Sequence, residues 1–149
     1  MEQITGLLSA LGNEIGIADL SPDDNGACSL FFDELVVNME YHKESNLLHL
    51  YSHLGTLPGD GREELFVRML EANCFYRGTQ GGTLAIDEEA DAALLFYQTP
   101  VDLLNEADFL RIVENFVNVA DTWSGQLSGS GEPVAASEAE PDETPGIRV

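Results

Sequence analysis

Apolar residues near the start of the chain recur at helical spacing. Ile4, Leu7, Leu8 and Leu11 share one face and Ile15 continues it. The pattern predicts a first helix over about residues 2–13, weakened by Gly6 and ended near Gly12. Ser21-Pro22-Asp23-Asp24-Asn25-Gly26 is a turn by composition. The period then changes to two. Residues 28–32 read as a strand, Asp33-Glu34 as a turn, and residues 35–42 as a second strand. Leu35, Val37, Met39 and Tyr41 take one face of it, and Val36, Asn38, Glu40 and His42 take the other. After the connection Lys43-Glu44-Ser45-Asn46, residues 47–54 form a third strand with Leu48, Leu50 and Leu54 on one face. Three strands joined by tight turns make an antiparallel meander.

Leu57-Pro58-Gly59-Asp60-Gly61 breaks the pattern, and Asp60 with Glu63 three residues on resembles a capping box. A second helix over about residues 62–73 follows, with Leu65, Phe66, Met69 and Leu70 giving a broad apolar face. Residues 83–87 and 92–98 read as a second hairpin around Glu88-Glu89. A third helix over about residues 103–126 carries Phe109, Ile112, Val113, Phe116, Ala120, Trp123 and Leu127 on one stripe. Residues 128–149 are rich in Ser, Gly, Pro, Ala and Glu, a composition that does not offset chain entropy, so a disordered tail is expected after a domain of residues 1–127.

The predicted order is α-β-β-β-α-β-β-α, an α+β fold with a twisted antiparallel sheet covered by the first and third helices. The second helix is the odd element, because its apolar residues span more of its circumference than one sheet contact needs. Simple burial and packing on a second copy are both open.

Charge narrows the partners. The chain of 149 residues has 27 acidic and 6 basic residues, a net charge of −21. Nucleic acid and anionic membrane surfaces repel such a protein, and Lys43, Arg62, Arg68, Arg77 and Arg111 are too scattered to form a basic patch. No stretch approaches the roughly 20 apolar residues that span a bilayer. The start lacks the basic region of a signal peptide, and two distant cysteines fit a reducing, cytoplasmic compartment.

Candidate chemistry is sparse. There is no GxSxG, phosphate-binding loop or dinucleotide fingerprint. His49 and His53 would share a strand face about 13 Å apart, too far for one metal ion. A calcium loop counted from Ser21 would need Glu where Phe32 stands. Glu63-Glu64 and Glu88-Glu89 read as solvated charge, and Cys74 as a packing residue. The residues point to no catalytic site, metal or cofactor, and hence to a binding protein.

Several phrases, in order, resemble the Tir chaperone family of type III secretion chaperones. Leu7-Leu8 through Ile15-Gly16-Ile17 is similar to that family's first helix and corner, and Asn25-Gly26 through Asp33-Glu34 to its first strand and turn. Leu54-Gly55-Thr56-Leu57-Pro58 resembles the close of its third strand, Leu70-Glu71-Ala72-Asn73 its second helix end, Gly81-Gly82-Thr83-Leu84-Ala85-Ile86-Asp87 its fourth strand, and Phe109 through Trp123 its last helix. The resemblance implies a bacterial cytoplasmic homodimer that binds the N-terminal segment of a secreted effector in extended form, with the secretion apparatus or a regulatory protein as further partners. On that basis Leu7, Leu8, Leu11, Leu30, Phe32, Leu35 and Val37 are candidates for effector contact, with plain core as the alternative. Leu65, Phe66, Met69 and Leu70, with Asn73 and Leu84 at the margin, are candidates for the dimer interface. Two other roles stay open: a family member acting as a regulator by binding a protein that controls secretion-gene transcription, and an acidic mimic of nucleic acid.

Overall fold

The apolar stripe of the first helix buries Ile4, Leu7, Leu8 and Leu11, and this burial holds α1, Glu2–Ile15, to the body. The computed structural model describes residues 2–128. Gly12 does not end α1 as expected. The chain folds back just after the helix, where the Ile17 N–H donates to the Gly12 carbonyl at 2.8 Å. A side chain at Gly12 would stand 2.6 Å from the Ile17 oxygen, so this glycine serves close approach rather than termination.

Five strands follow the predicted order: β1 (Ala27–Phe32), β2 (Leu35–His42), β3 (Leu47–Thr56), β4 (Thr83–Asp87) and β5 (Ala92–Pro100). They form one antiparallel sheet in the order β1-β2-β3-β5-β4. The register pairs Leu30 with Val37, Met39 with Leu50 and Leu84 with Leu95, which gathers the apolar sets on one face. A bulge between His53 and Gly55 lets β3 run on to Thr56, past the expected end at Leu54.

Two helices complete the fold: α2 (Arg62–Asn73) and α3 (Glu106–Ser128). Gly61, in a left-handed conformation, occupies the N-cap of α2, so the expected cap at Asp60 is not formed. The start of α3 is shifted because residues Val101–Leu103 form a separate 3-10 turn and Asn105 Oδ1 accepts from the Asp108 N–H. The third helix lies on β2 and β3, and α1 packs against it. Phe109, Val113, Phe116, Ala120 and Trp123 carry its buried stripe, while Ile112 and Leu127 are only partly covered. Ser128 ends α3 and so belongs to the helix. The expected disorder of the tail concerns residues 129–149, which lie outside the described residues.

Candidate functional site: a groove beside an open strand edge and an exposed helix face

The C-terminal half of α1, the end of β1 and the outer side of α3 do not close fully on one another. They leave a groove of about 410 Å³ floored by Leu11, Ile15, Phe32, Leu110, Val113 and Val117. On α3, Leu110, Val113 and Val117 fall at helical spacing, beside the stripe that faces the sheet. Ile15 is 36% exposed, and Phe32, Leu110 and Val117 are half-buried. Glu14 and Glu114 stand at its rim, both exposed.

The two edges of the sheet differ. At β4 the Asn73 side chain acts as a short strand: its amide donates to the Leu84 carbonyl at 3.0 Å and its oxygen accepts from the Leu84 N–H at 2.8 Å. The same two bonds tie the end of α2 to the sheet. The opposite edge, β1, pairs with no strand but β2 among the described residues, and its last residue, Phe32, lines the groove. At the start of this edge Asp23 already engages Ala27, its Oδ1 accepting from the Ala27 N–H at 2.9 Å and its own N–H donating to the Ala27 carbonyl at 2.8 Å, so an added extended chain has the part of β1 beyond Ala27 to pair with.

The second helix presents apolar residues on two sides. Leu65, Met69 and Ala72 are buried against the body. Val67 and Leu70 are 54% and 68% exposed, and Phe66 is half-buried between the two sides. The outer stripe continues into the 3-10 turn Cys74–Tyr76, where Phe75 and Tyr76 are 66% and 52% exposed. Cys74 is exposed rather than packed, which corrects the expectation for that thiol, because it lies just past α2 at the start of the outward 3-10 turn. Phe75 and Tyr76 both hold left-handed backbone angles, φ 54 and 57. Bulky residues reach that region at a cost of about 1–2 kcal/mol each. The turn is held by Gly78, whose N–H donates to the Ala72 carbonyl at 3.0 Å and which leaves no room for a side chain above Ala72.

Of the residues expected to meet an effector, Leu7, Leu8, Leu11, Leu30, Leu35 and Val37 are each 7% exposed or less and belong to the core. Leu11 reaches the groove floor from within, and Phe32 stands in it half-buried. Strand alternation gives the apolar face but not whether a helix covers it. Of the residues expected at the dimer interface, Leu65, Met69 and Leu84 are buried, Asn73 is engaged by Leu84, and only Phe66 and Leu70 reach the surface. Val67, Phe75 and Tyr76 are on that surface and were missed. Val67 was legible, since Val67, Leu70 and Cys74 fall at helical spacing opposite Leu65 and Met69. The outward aromatic pair depends on the backbone turn and has no periodic signal.

The uncovered face of the sheet holds the histidines. The His42 and His49 rings lie 4.3 Å apart, and His49 meets Phe96 edge-on at 5.1 Å. Burial, and then the neighbouring His42, lower the pKa of His49. His53 Nε2 lies 2.9 Å from Asp87, and this hydrogen bond, with the Ala90 N–H, lowers the Asp87 carboxyl. Tyr51 donates to Glu40 at 2.8 Å, which raises its phenol. Among the described residues no group of three or more His, Cys, Asp or Glu side chains is placed to hold a metal ion. No helix is long and apolar enough to cross a membrane among those residues.

Residues 6–124 match the model of the Tir chaperone protein (CesT) family. Protein CPj0713/CpB0740 of Chlamydia pneumoniae is 30% identical over 126 residues, which cover 81% of this chain and 93% of that protein. Among solved structures, a chain of the ExsC-ExsE complex superposes with a TM-score of 0.72 at 24% identity, covering 85% of this chain and 94% of that one. The Yersinia pestis type III secretion chaperone SycH, solved in complex with a stable fragment of YscM2, is similar in fold at a TM-score of 0.62 and 21% identity, covering 78% and 96% of the two chains.

Proposed function

The chain belongs to the Tir chaperone protein (CesT) family of type III secretion chaperones, and from that premise we propose that it acts in the cytoplasm as a homodimer holding the N-terminal segment of a secreted effector in extended form. It does so by binding alone, with no catalysed reaction. The observation that carries this reading is the β1 edge, unpaired beyond Ala27 by any strand but β2, which ends at Phe32 in the groove of Leu11, Ile15, Phe32, Leu110, Val113 and Val117. An extended segment added to β1 gains main-chain hydrogen bonds, and its alternate side chains enter the groove. Each apolar side chain so buried contributes on the order of 1.5–3 kcal/mol before ordering costs. Leu7, Leu8, Leu30, Leu35 and Val37 are core residues rather than contacts on this reading, while Leu11 and Phe32 line the groove. The SycH complex with a YscM2 fragment and the ExsC-ExsE complex are partner-bound assemblies of the same fold, which agrees with this reading.

The dimer contact on this reading is the outer stripe of α2, with Phe66, Val67, Leu70, Phe75 and Tyr76 against their copies and Asn73 and Leu84 at the margin. Exposed apolar residues this close together are a liability in a monomer. The net charge of −21 opposes non-specific association of the uncovered patches.

Affinity capture from the native organism, followed by mass spectrometry and N-terminal deletion of the captured protein, tests the proposal. Ile15→Glu with Val117→Glu should abolish capture while the sedimenting mass of the chaperone alone stays unchanged. Undiminished capture by that double variant rules out the groove. A captured transcription-control protein in place of a secreted one would assign the chain to the regulatory role.

A further inference from the structure

The outer stripe of α2 is charged at both ends, with opposite sign. Glu63, Val67, Leu70 and Cys74 fall at helical spacing on the side away from Leu65 and Met69, and all four are exposed. Glu63 stands in the first turn of the helix. At the other end Arg77 lies against the stripe, its Nη2 3.8 Å from Cys74 Sγ and its guanidinium 5.9 Å from the centre of the Phe75 ring. From N- to C-terminus the stripe is one carboxylate, two aliphatic side chains and one cation.

Neither charge is answered within the chain. The ion pairs among the described residues join His42 to Glu40, His53 to Asp87, Arg62 to Asp91 and Arg111 to Asp108. Arg77 is thus exposed without a carboxylate partner among those residues, in a chain with 27 acidic and 6 basic residues. Glu64 and Glu71 are exposed as well, but they lie on one flank of the stripe, off the line of Val67 and Leu70.

Such a stripe complements its own reverse. Take two copies about a two-fold axis that crosses α2 between Val67 and Leu70. Val67 of each copy then lies on the partner's Leu70, and Glu63 of each reaches the level of the partner's Cys74, where Arg77 stands. By symmetry the contact at one end is repeated at the other. A parallel arrangement sets Glu63 against Glu63 and Arg77 against Arg77, and like charges facing one another oppose association.

We propose that Glu63 pairs with the partner's Arg77, twice across that axis, and that this pairing sets an antiparallel direction for the α2 contact. The proposal rests on α2 being where two copies meet, as proposed above. It adds the direction of the contact and the two residues that select it.

Sedimentation equilibrium of the full chain at low salt tests the pairing. Arg77→Glu and Glu63→Arg should each weaken self-association about ten-fold or more, because each change puts like charges together at both ends. Both in one chain should return it to within about three-fold of the wild type. Both residues are exposed, so the circular dichroism spectrum should not change. Glu63→Arg is the sharper arm. It makes the chain less acidic, so general repulsion alone would tighten the dimer. Unchanged or tighter association of Glu63→Arg, or a double variant no better than the single ones, overturns the pairing.

Cysteine cross-linking reads the direction. In a Cys28→Ser background, Glu63→Cys should give a disulfide-linked dimer through Cys74 on mild oxidation. Cys74 alone should give none, because the two Cys74 residues stand about 16 Å apart along the helix, beyond the ~7 Å that a disulfide bridges. A dimer linked through Cys74 alone, or no link in the Glu63→Cys chain, overturns the antiparallel register. Leu70→Asp separates the two possible failures. If it leaves the dimer intact, the α2 contact itself falls. If it gives monomers while Arg77→Glu and Glu63→Arg change nothing, only the pairing falls.

Discussion

Helices α1 and α2 are of similar length, and each carries apolar side chains beyond a single row. In α1 Ile4, Leu7, Leu8 and Leu11 all lie within the core and only Ile15 surfaces, at the groove. In α2 the apolar residues part company: Leu65, Met69 and Ala72 face in, while Val67 and Leu70 face out and Phe66 stands between. The difference follows from position. The first helix packs against α3 over the sheet, so its stripe is enclosed by other elements. The second helix contacts chiefly β4 at the sheet margin and has solvent on its far side. Apolar residues on that far side are surplus to the fold, and a second copy is what the proposed function supplies to cover them.

Four substitutions break or sharpen this contrast, in falling order of effect. Leu8 is 1% exposed, so Leu8→Asp should abolish cooperative folding, at a cost of about 4 kcal/mol or more. A normal urea transition for this variant would show that α1 is not the core helix. Leu70, at 68% exposure, is the opposite case. Leu70→Asp should keep the circular dichroism spectrum and unfolding transition of a folded monomer while weakening self-association about 30-fold or more, read by sedimentation equilibrium. An unaltered mass would place the contact elsewhere.

Asn73→Ala removes both hydrogen bonds to Leu84 and should cost about 2–3 kcal/mol in urea unfolding. It would also open the β4 edge, so light scattering should rise on concentration. Equal stability to the wild type would mean that α2 is anchored by Leu65 and Met69 alone. The smallest effect is expected at Phe75, held at φ 54. Phe75→Asn relieves a bulky side chain from the left-handed region and should stabilise the monomer by under about 1 kcal/mol, with self-association weakened. Lower stability in the monomeric Leu70→Asp background would show that the ring packs within one chain.

Much of the architecture was legible because it rests on local periodicity. The change from the 3.6-residue spacing of Ile4, Leu7, Leu8 and Leu11 to the alternation of Leu35, Val37 and Met39 marked helix and strand, and β2, α2 and β4 have the bounds expected of them. The site was less so. Leu7, Leu30 and Val37 carried the same pattern as Leu11 and Phe32, yet only the latter two reach the groove. Periodicity assigns a side chain to a face; enclosure of that face depends on elements distant in sequence.

The sequence by itself determined the element order, the inward face of each strand, the strongly acidic charge, and the surplus apolar circumference of α2. These are properties of residue spacing and composition, which survive without tertiary context. Only the tertiary structure decided that Asn73 closes one sheet edge while β1 beyond Ala27 pairs with no strand but β2, that Leu110, Val113 and Val117 meet Leu11, Ile15 and Phe32, and that Phe75 and Tyr76 project beyond α2. Each depends on packing between segments far apart in the chain, or on a backbone turn no side-chain period encodes.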